Sequence, residues 1–153
     1  MSLRQSLIDY SRGDHLAWFW FCCRWQRKAR TRWTRDLWTF FMSRSAHRHG
    51  GYVGPGAEIQ GDLSLPHGLH GVFISRYAAV GAGCRIYQNV TIGEVGGKAP
   101  RIGENCLIGA GAVVLGGIRI GDGVKIGAGA VVCSDIPDGC TVVSQPARIL
   151  NRS

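Results

Sequence analysis

Two histidines stand three residues apart in the run Leu65-Pro66-His67-Gly68-Leu69-His70-Gly71. Imidazole takes or gives a proton near neutral pH, so His67 and His70 are the first candidates for acid–base chemistry. A second polar run, Glu94-Val95-Gly96-Gly97-Lys98-Ala99-Pro100, brings one carboxylate and one ammonium. Metal chemistry fits poorly. The six cysteines form no C-x-x-C pair, and no histidine follows His70, so no Cys/His set has zinc spacing. Reduced thiols serving as small apolar residues are the expectation, which suits a cytoplasmic protein.

The frame that must hold these runs is a six-residue repeat. Val53, Ile59 and Leu65 open it. Ile74, Val80, Ile86 and Ile92 continue it, and Ile102, Ile108, Val114, Ile120, Ile126 and Val132 complete it. Glycine follows many of these aliphatics, as at Val80-Gly81, Ile92-Gly93, Ile108-Gly109 and Ile126-Gly127. Four residues after each aliphatic comes a small or apolar residue, among them Cys84, Val90, Cys106, Ala112, Val124 and Ala130. A period of six is not helical, and it marks a parallel β-helix in which each unit is one short strand and a turn. Three units make a coil of a triangular prism, so these thirteen units make about four coils. The fold class is therefore mainly β.

The phase breaks twice, between Leu65 and Ile74 and between Ile92 and Ile102. Extra residues do not fit inside a close-packed coil, so they must leave it at a corner. Both polar runs lie in these breaks. Excursions on a rigid scaffold are where function concentrates.

Residues 1–50 read differently from residues 51–153. The first segment holds all five tryptophans and 10 Lys/Arg against 3 Asp/Glu, whereas the second is nearly neutral and holds 21 of the 23 glycines. Trp18, Cys22, Trp25, Ala29, Trp33, Leu37, Phe40 and Phe41 recur at three- and four-residue steps, which predicts an α-helical arm from about His15 to Arg44. Its plain role is a cap over the first coil, whose strand edges would otherwise invite association. A second role is contact of residues 15–44 with an anionic membrane surface, through Trp and Arg, which would place the protein peripherally at the inner face of a membrane. The apolar run Leu16–Cys23 is too short to span a bilayer, and no cleavage site for a signal peptide follows it. No nucleic-acid motif accompanies the basic charge, so nucleic acid is not an expected partner.

The segments L-P-H-G-L-H-G-V-F-I-S, I-Y-Q-N-V-T-I-G, A-P-R-I-G-E-N-C-L-I-G-A-G-A-V-V-L-G and Q-P-A-R-I-L resemble the serine acetyltransferase group of hexapeptide-repeat acyltransferases. The resemblance covers roughly residues 52–150. It implies a left-handed β-helix, acetyl-CoA as co-substrate without a metal, and a homotrimer with a site at each subunit boundary. It also implies that His67 is the general base that deprotonates an acceptor hydroxyl, with His70 as the competing position. By the same resemblance the coenzyme meets backbone at Gly93, Ala110 and Ala128, beside Gly109, Gly111 and Gly127. Lys98 and Lys125 would then lie toward its phosphates.

The chain also departs from that pattern. Pro66 stands where the group has an Asp just before the catalytic His, Tyr52 where it has another Asp, and Ala99 where it has a second His. Without the Asp, the orienting of His67 falls to Glu94, Asp62 or a backbone carbonyl. The lost charges would also recognise a serine zwitterion, so a sugar hydroxyl becomes an expected acceptor beside L-serine. A trimeric scaffold without catalysis is the alternative.

Overall fold

The computed structural model describes residues 16–61 and 63–145; Asp62, one of the candidate orienting groups, lies outside them. Among the described residues thirteen short strands wind into a parallel β-helix. The first face is built from β1 (Tyr52–Val53), β3 (Phe73–Ile74), β6 (Thr91–Gly93), β9 (Val113–Leu115) and β12 (Val131–Val132). The second face holds β2 (Glu58–Ile59), β4 (Ala79–Val80), β7 (Arg101–Ile102) and β10 (Arg119–Ile120). The third holds β5 (Arg85–Ile86), β8 (Leu107–Ile108), β11 (Lys125–Ile126) and β13 (Thr141–Val142). The chain visits the faces in rotation, with single bridges of Ser64 to Arg85 and of Ile136 to Ile120 in place of a strand in the first and last coils, giving about four coils, as the repeat requires.

Every strand pair is parallel and in register, so like stacks on like. On the third face Ile86, Ile108 and Ile126 are direct partners, and on the first Ile74, Ile92, Val114 and Val132 are. All seven point inward and are buried. The strands are only two or three residues long, so cohesion comes from stacked aliphatics and from the hydrogen bonds between coils. The small fourth residues fill the interior corners. Cys84 and Cys106 sit there, donating their Sγ hydrogens to the carbonyls of Gly103 and Gly121, each at 3.1 Å. The adjoining Cys106 thiol and burial together push the Cys84 thiol up, so it is a packing group rather than a nucleophile. Corner glycines are required by space: a Cβ on Gly81 would lie 2.5 Å from the Gly103 carbonyl oxygen of the next coil.

The arm forms two helices, α1 (Ala17–Lys28) and α2 (Arg32–Arg48). Thr31 caps α2, its hydroxyl accepting from the Thr34 amide at 3.3 Å. Phe19, Cys22, Cys23, Met42 and Ala46 are buried and join the same core as Val53. The Arg27 guanidinium donates to the Ile59 carbonyl at 2.7 Å, satisfying an acceptor on the edge of the first coil. The helices therefore close the open end of the prism. Among the described residues no helix is long and apolar enough to cross a membrane.

Candidate functional site

The first break leaves the coil between the third and first faces. Gly68 and Gly71 adopt positive φ, 62° and 66°, which lets six residues turn back on themselves. The excursion is not wholly external: Leu69 is 1% exposed and anchors the loop in the core beneath α2, while His67 and His70 remain exposed. The alternation explains the two histidines. They flank a buried leucine and are thrown outward by it.

A backbone ladder fixes what lies below. The Asn89 amide donates to the His70 carbonyl at 2.9 Å, that of Gly111 to Gln88 at 3.0 Å, and that of Gly129 to Ala110 at 2.9 Å. His70, Gln88-Asn89, Ala110-Gly111 and Ala128-Gly129 are thus successive steps down one edge of the prism. At the strand spacing of about 4.8 Å, Ala110 and Ala128 lie roughly 10 and 14 Å below the histidine loop. Gly109 and Gly127 sit directly before these steps. A Cβ on Gly109 would approach the Ala128 nitrogen to 2.6 Å, so the edge is shaved to backbone and methyl groups.

The second break leaves the coil at the opposite end of the first face. Val95 and Lys98 exchange hydrogen bonds of 2.9 and 3.2 Å, and Gly96 and Gly97 both have positive φ, making a two-residue hairpin. Glu94 stands at its base, where its Oε2 accepts from the Ser75 hydroxyl at 2.7 Å. Ser75 is itself buried, and its oxygen accepts from the Tyr77 amide at 3.3 Å. Glu94 is therefore a held carboxylate, although it is exposed. Beside it a cavity of about 300 Å³ is lined by Tyr52, Phe73, Ser75, Arg76, Gly93 and Glu94.

The candidate residues thus fall into two groups at opposite edges of one face. His67, His70, Gly109, Ala110, Gly111, Gly127 and Ala128 share one edge. Gly93, Glu94 and Lys98 share the other. Lys125 lies on the third face, in β11. Within one protomer these groups do not meet. The face between them is apolar on its outer side, where Tyr52 stacks on Phe73 with ring centroids 4.9 Å apart and Thr91, Val113 and Val131 follow.

Two residues near His67 were not picked out from the sequence. Tyr87 places its ring 5.9 Å from that of His67. Gln88 has a buried Oε1 that has no hydrogen-bond partner among the described residues. Both follow the β5 aliphatic by one and two positions, on the coil under the histidine loop. That offset was the available signal.

Comparison with known proteins agrees with this fold. The family described as bacterial transferase hexapeptide (six repeats) matches residues 99–134. A serine acetyltransferase of Synechococcus elongatus is 45% identical over 105 residues, covering 66% of this chain and 43% of that protein. A probable serine acetyltransferase 1 of Oryza sativa subsp. japonica is 41% identical over 132 residues, covering 82% of this chain and 43% of that protein. Among solved structures, the soybean serine acetyltransferase apoenzyme superposes with a TM-score of 0.71 at 36% identity, covering 88% of this chain and 59% of that one. The body is a serine acetyltransferase-like hexapeptide-repeat β-helix. The Neisseria gonorrhoeae serine acetyltransferase, solved in complex with serine, superposes on it with a TM-score of 0.66 at 39% identity over 74% of this chain and 48% of that one. The chain spans less than half the length of the curated relatives described here. In this serine acetyltransferase-like body Pro66 lies in the histidine loop, whereas Tyr52 lines the cavity beside Glu94 and Ala99 follows Lys98 on the other edge.

Proposed function

We propose that the chain is an acetyl-CoA-dependent O-acetyltransferase that works as a homotrimer with His67 as general base. The carrying observation is the single edge on which the histidine loop stands above Gly109-Ala110 and Gly127-Ala128. An extended pantetheine arm laid along that edge would meet backbone and methyl groups, with its thioester end at the imidazole. In that pose His67 takes the proton of the acceptor hydroxyl as its oxygen attacks the thioester carbonyl carbon. This gives a tetrahedral oxyanion that a hydrogen-bond donor must stabilise, and the amides of Gly109, Gly111, Gly127 and Gly129 are already bonded between coils, so the donor is another group. Collapse breaks the carbon–sulfur bond, and the imidazolium returns its proton to the departing thiolate, leaving an O-acetyl ester and free coenzyme A.

The split site supports the trimer. If the apolar first face of each prism turns toward a three-fold axis, one flanking edge of each protomer meets the other flanking edge of its neighbour. The His67 edge then faces the next protomer's hairpin. Glu94, held by Ser75, becomes the carboxylate that orients His67, replacing the function lost at Pro66. A donor from the neighbour or from bound coenzyme would likewise satisfy Gln88 Oε1, whose isolation costs stability. Lys98 would reach the coenzyme from the same hairpin.

The acceptor reading rests on the departures. Pro66, Ala99 and Tyr52 provide no charge for an ammonium or a carboxylate, which favours an uncharged polyhydroxyl acceptor such as a sugar. The serine-bound relative favours L-serine. Thiol release from acetyl-CoA, measured with L-serine and a panel of sugars, separates the two. The expected result is faster turnover of a sugar, and robust turnover of serine alone would end the sugar reading. Calorimetry with coenzyme A tests the enzyme reading beneath both, since a scaffold that has lost catalysis has no reason to bind it.

A further inference from the structure

The helical hairpin has a second surface that closing the prism does not use. Trp18, Phe21, Trp25 and Phe41, all exposed, form an aromatic ridge across both helices, linked through Trp38, which is half-buried against the core. Successive ring centroids lie 5.4 Å apart for Trp18–Phe21, 6.0 Å for Phe21–Trp25, 5.8 Å for Trp25–Trp38 and 6.2 Å for Trp38–Phe41. Trp33 and Phe40 project beyond it, 76% and 61% exposed. So large an apolar patch on a soluble surface marks a site of contact.

Charge selects the contact. Residues 16–50 hold eight Lys/Arg and one acid, Asp36. Arg44 and Arg48 line a cleft of about 510 Å³ together with Trp18, Phe40 and Phe41, at one end of the ridge. Both guanidiniums are exposed, and no carboxylate within salt-bridge distance faces them among the described residues. A second copy of this hairpin would bring the same dense positive charge against itself, so self-association on the ridge is disfavoured. An anionic bilayer surface offers what both features seek. Trp rings settle at the headgroup level, and phosphates pair with Arg.

We propose that the α1–α2 hairpin docks on anionic lipid surfaces, with the Trp18–Phe41 ridge in the interface and Arg44 and Arg48 on lipid phosphate. The proposal does not depend on the acetyltransferase reading. It suits that reading, because it would present the enzyme to acceptors carried on a membrane.

Intrinsic fluorescence isolates the event, since all five tryptophans lie in α1 and α2. The full chain is mixed with vesicles of phosphatidylcholine alone or with phosphatidylglycerol added, and emission is read alongside co-sedimentation. Blue-shifted emission and sedimentation are expected with the anionic vesicles only. Arg44→Ala with Arg48→Ala should weaken binding by at least about tenfold, from the loss of two cations near the surface. Trp33→Ala with Phe40→Ser should abolish most of the remainder. Both pairs are exposed, and unchanged circular dichroism confirms that they fold. Absence of binding to anionic vesicles, equal binding to neutral ones, or a ridge that instead sets the size of the free protein in solution would each overturn the proposal.

Discussion

Replacing His67 with Ala is expected to lower kcat by roughly 10²–10⁴-fold, the usual contribution of a positioned general base. KM for acetyl-CoA should change little, because the proposed coenzyme edge, Gly109-Ala110 and Gly127-Ala128, is backbone and remains in place. The neighbouring variant His70→Ala is the control. Both histidines are exposed on the same six-residue loop, and circular dichroism of each variant checks that the fold is kept. The rate should fall with the first and hold with the second. Steady-state kinetics on the preferred acceptor decides it, and the reverse order would move the base to His70.

The largest stability effect is expected at Ile108→Ala. Ile108 is fully buried in the middle of the third face, stacked between Ile86 above and Ile126 below. Truncation leaves a cavity that neighbouring coils cannot fill, because their spacing is set by the backbone ladder. The cost is about 2–5 kcal/mol, the range for deleting a large aliphatic from a rigid core. In a solenoid each coil is held by its neighbours, so the loss should appear as a lower midpoint for the whole body. Denaturant unfolding of wild type and variant measures it. A change below about 1 kcal/mol would mean that the stack relaxes around the gap, against the rigidity that positions the site.

The architecture was legible because a solenoid writes its period directly into the chain. Val53 through Val132 named the interior, and the six-residue phase named the corners. The two losses of phase located both loops without any knowledge of their shape. Leu69 was harder to read. An insertion is expected to bulge outward, yet this leucine turns in, because the space between the first coil and α2 needs an apolar plug. The arm was predicted as one or two helices; the break at residues 29–31 became clear only with Thr31 as the cap of α2.

The site was legible in part. Spacing brings His67, Ala110 and Ala128 onto one edge, because residues separated by whole coils must align. Gly93, Glu94 and Lys98 carry equally good signals but stand on the other edge. Nothing in a linear pattern says whether two edges meet within a chain or between chains. Tyr87 and Gln88 were missed for a related reason. Their offset from Ile86 puts them on the coil under the histidine loop, but such positions are ordinary for the repeat and carry no mark of function by themselves.

Mixed trimers test most directly whether the site is shared. His67→Ala and Glu94→Ala protomers are each expected to be nearly inactive alone. When equal amounts are unfolded and refolded together, a site is intact only where a Glu94→Ala protomer supplies His67 and its neighbour supplies Glu94. Random three-fold assembly makes that about one site in four, so about a quarter of the wild-type rate should return. A mixture no more active than its two components, or a Glu94→Ala protein that keeps its full rate alone, would show that His67 does not work against the adjoining subunit.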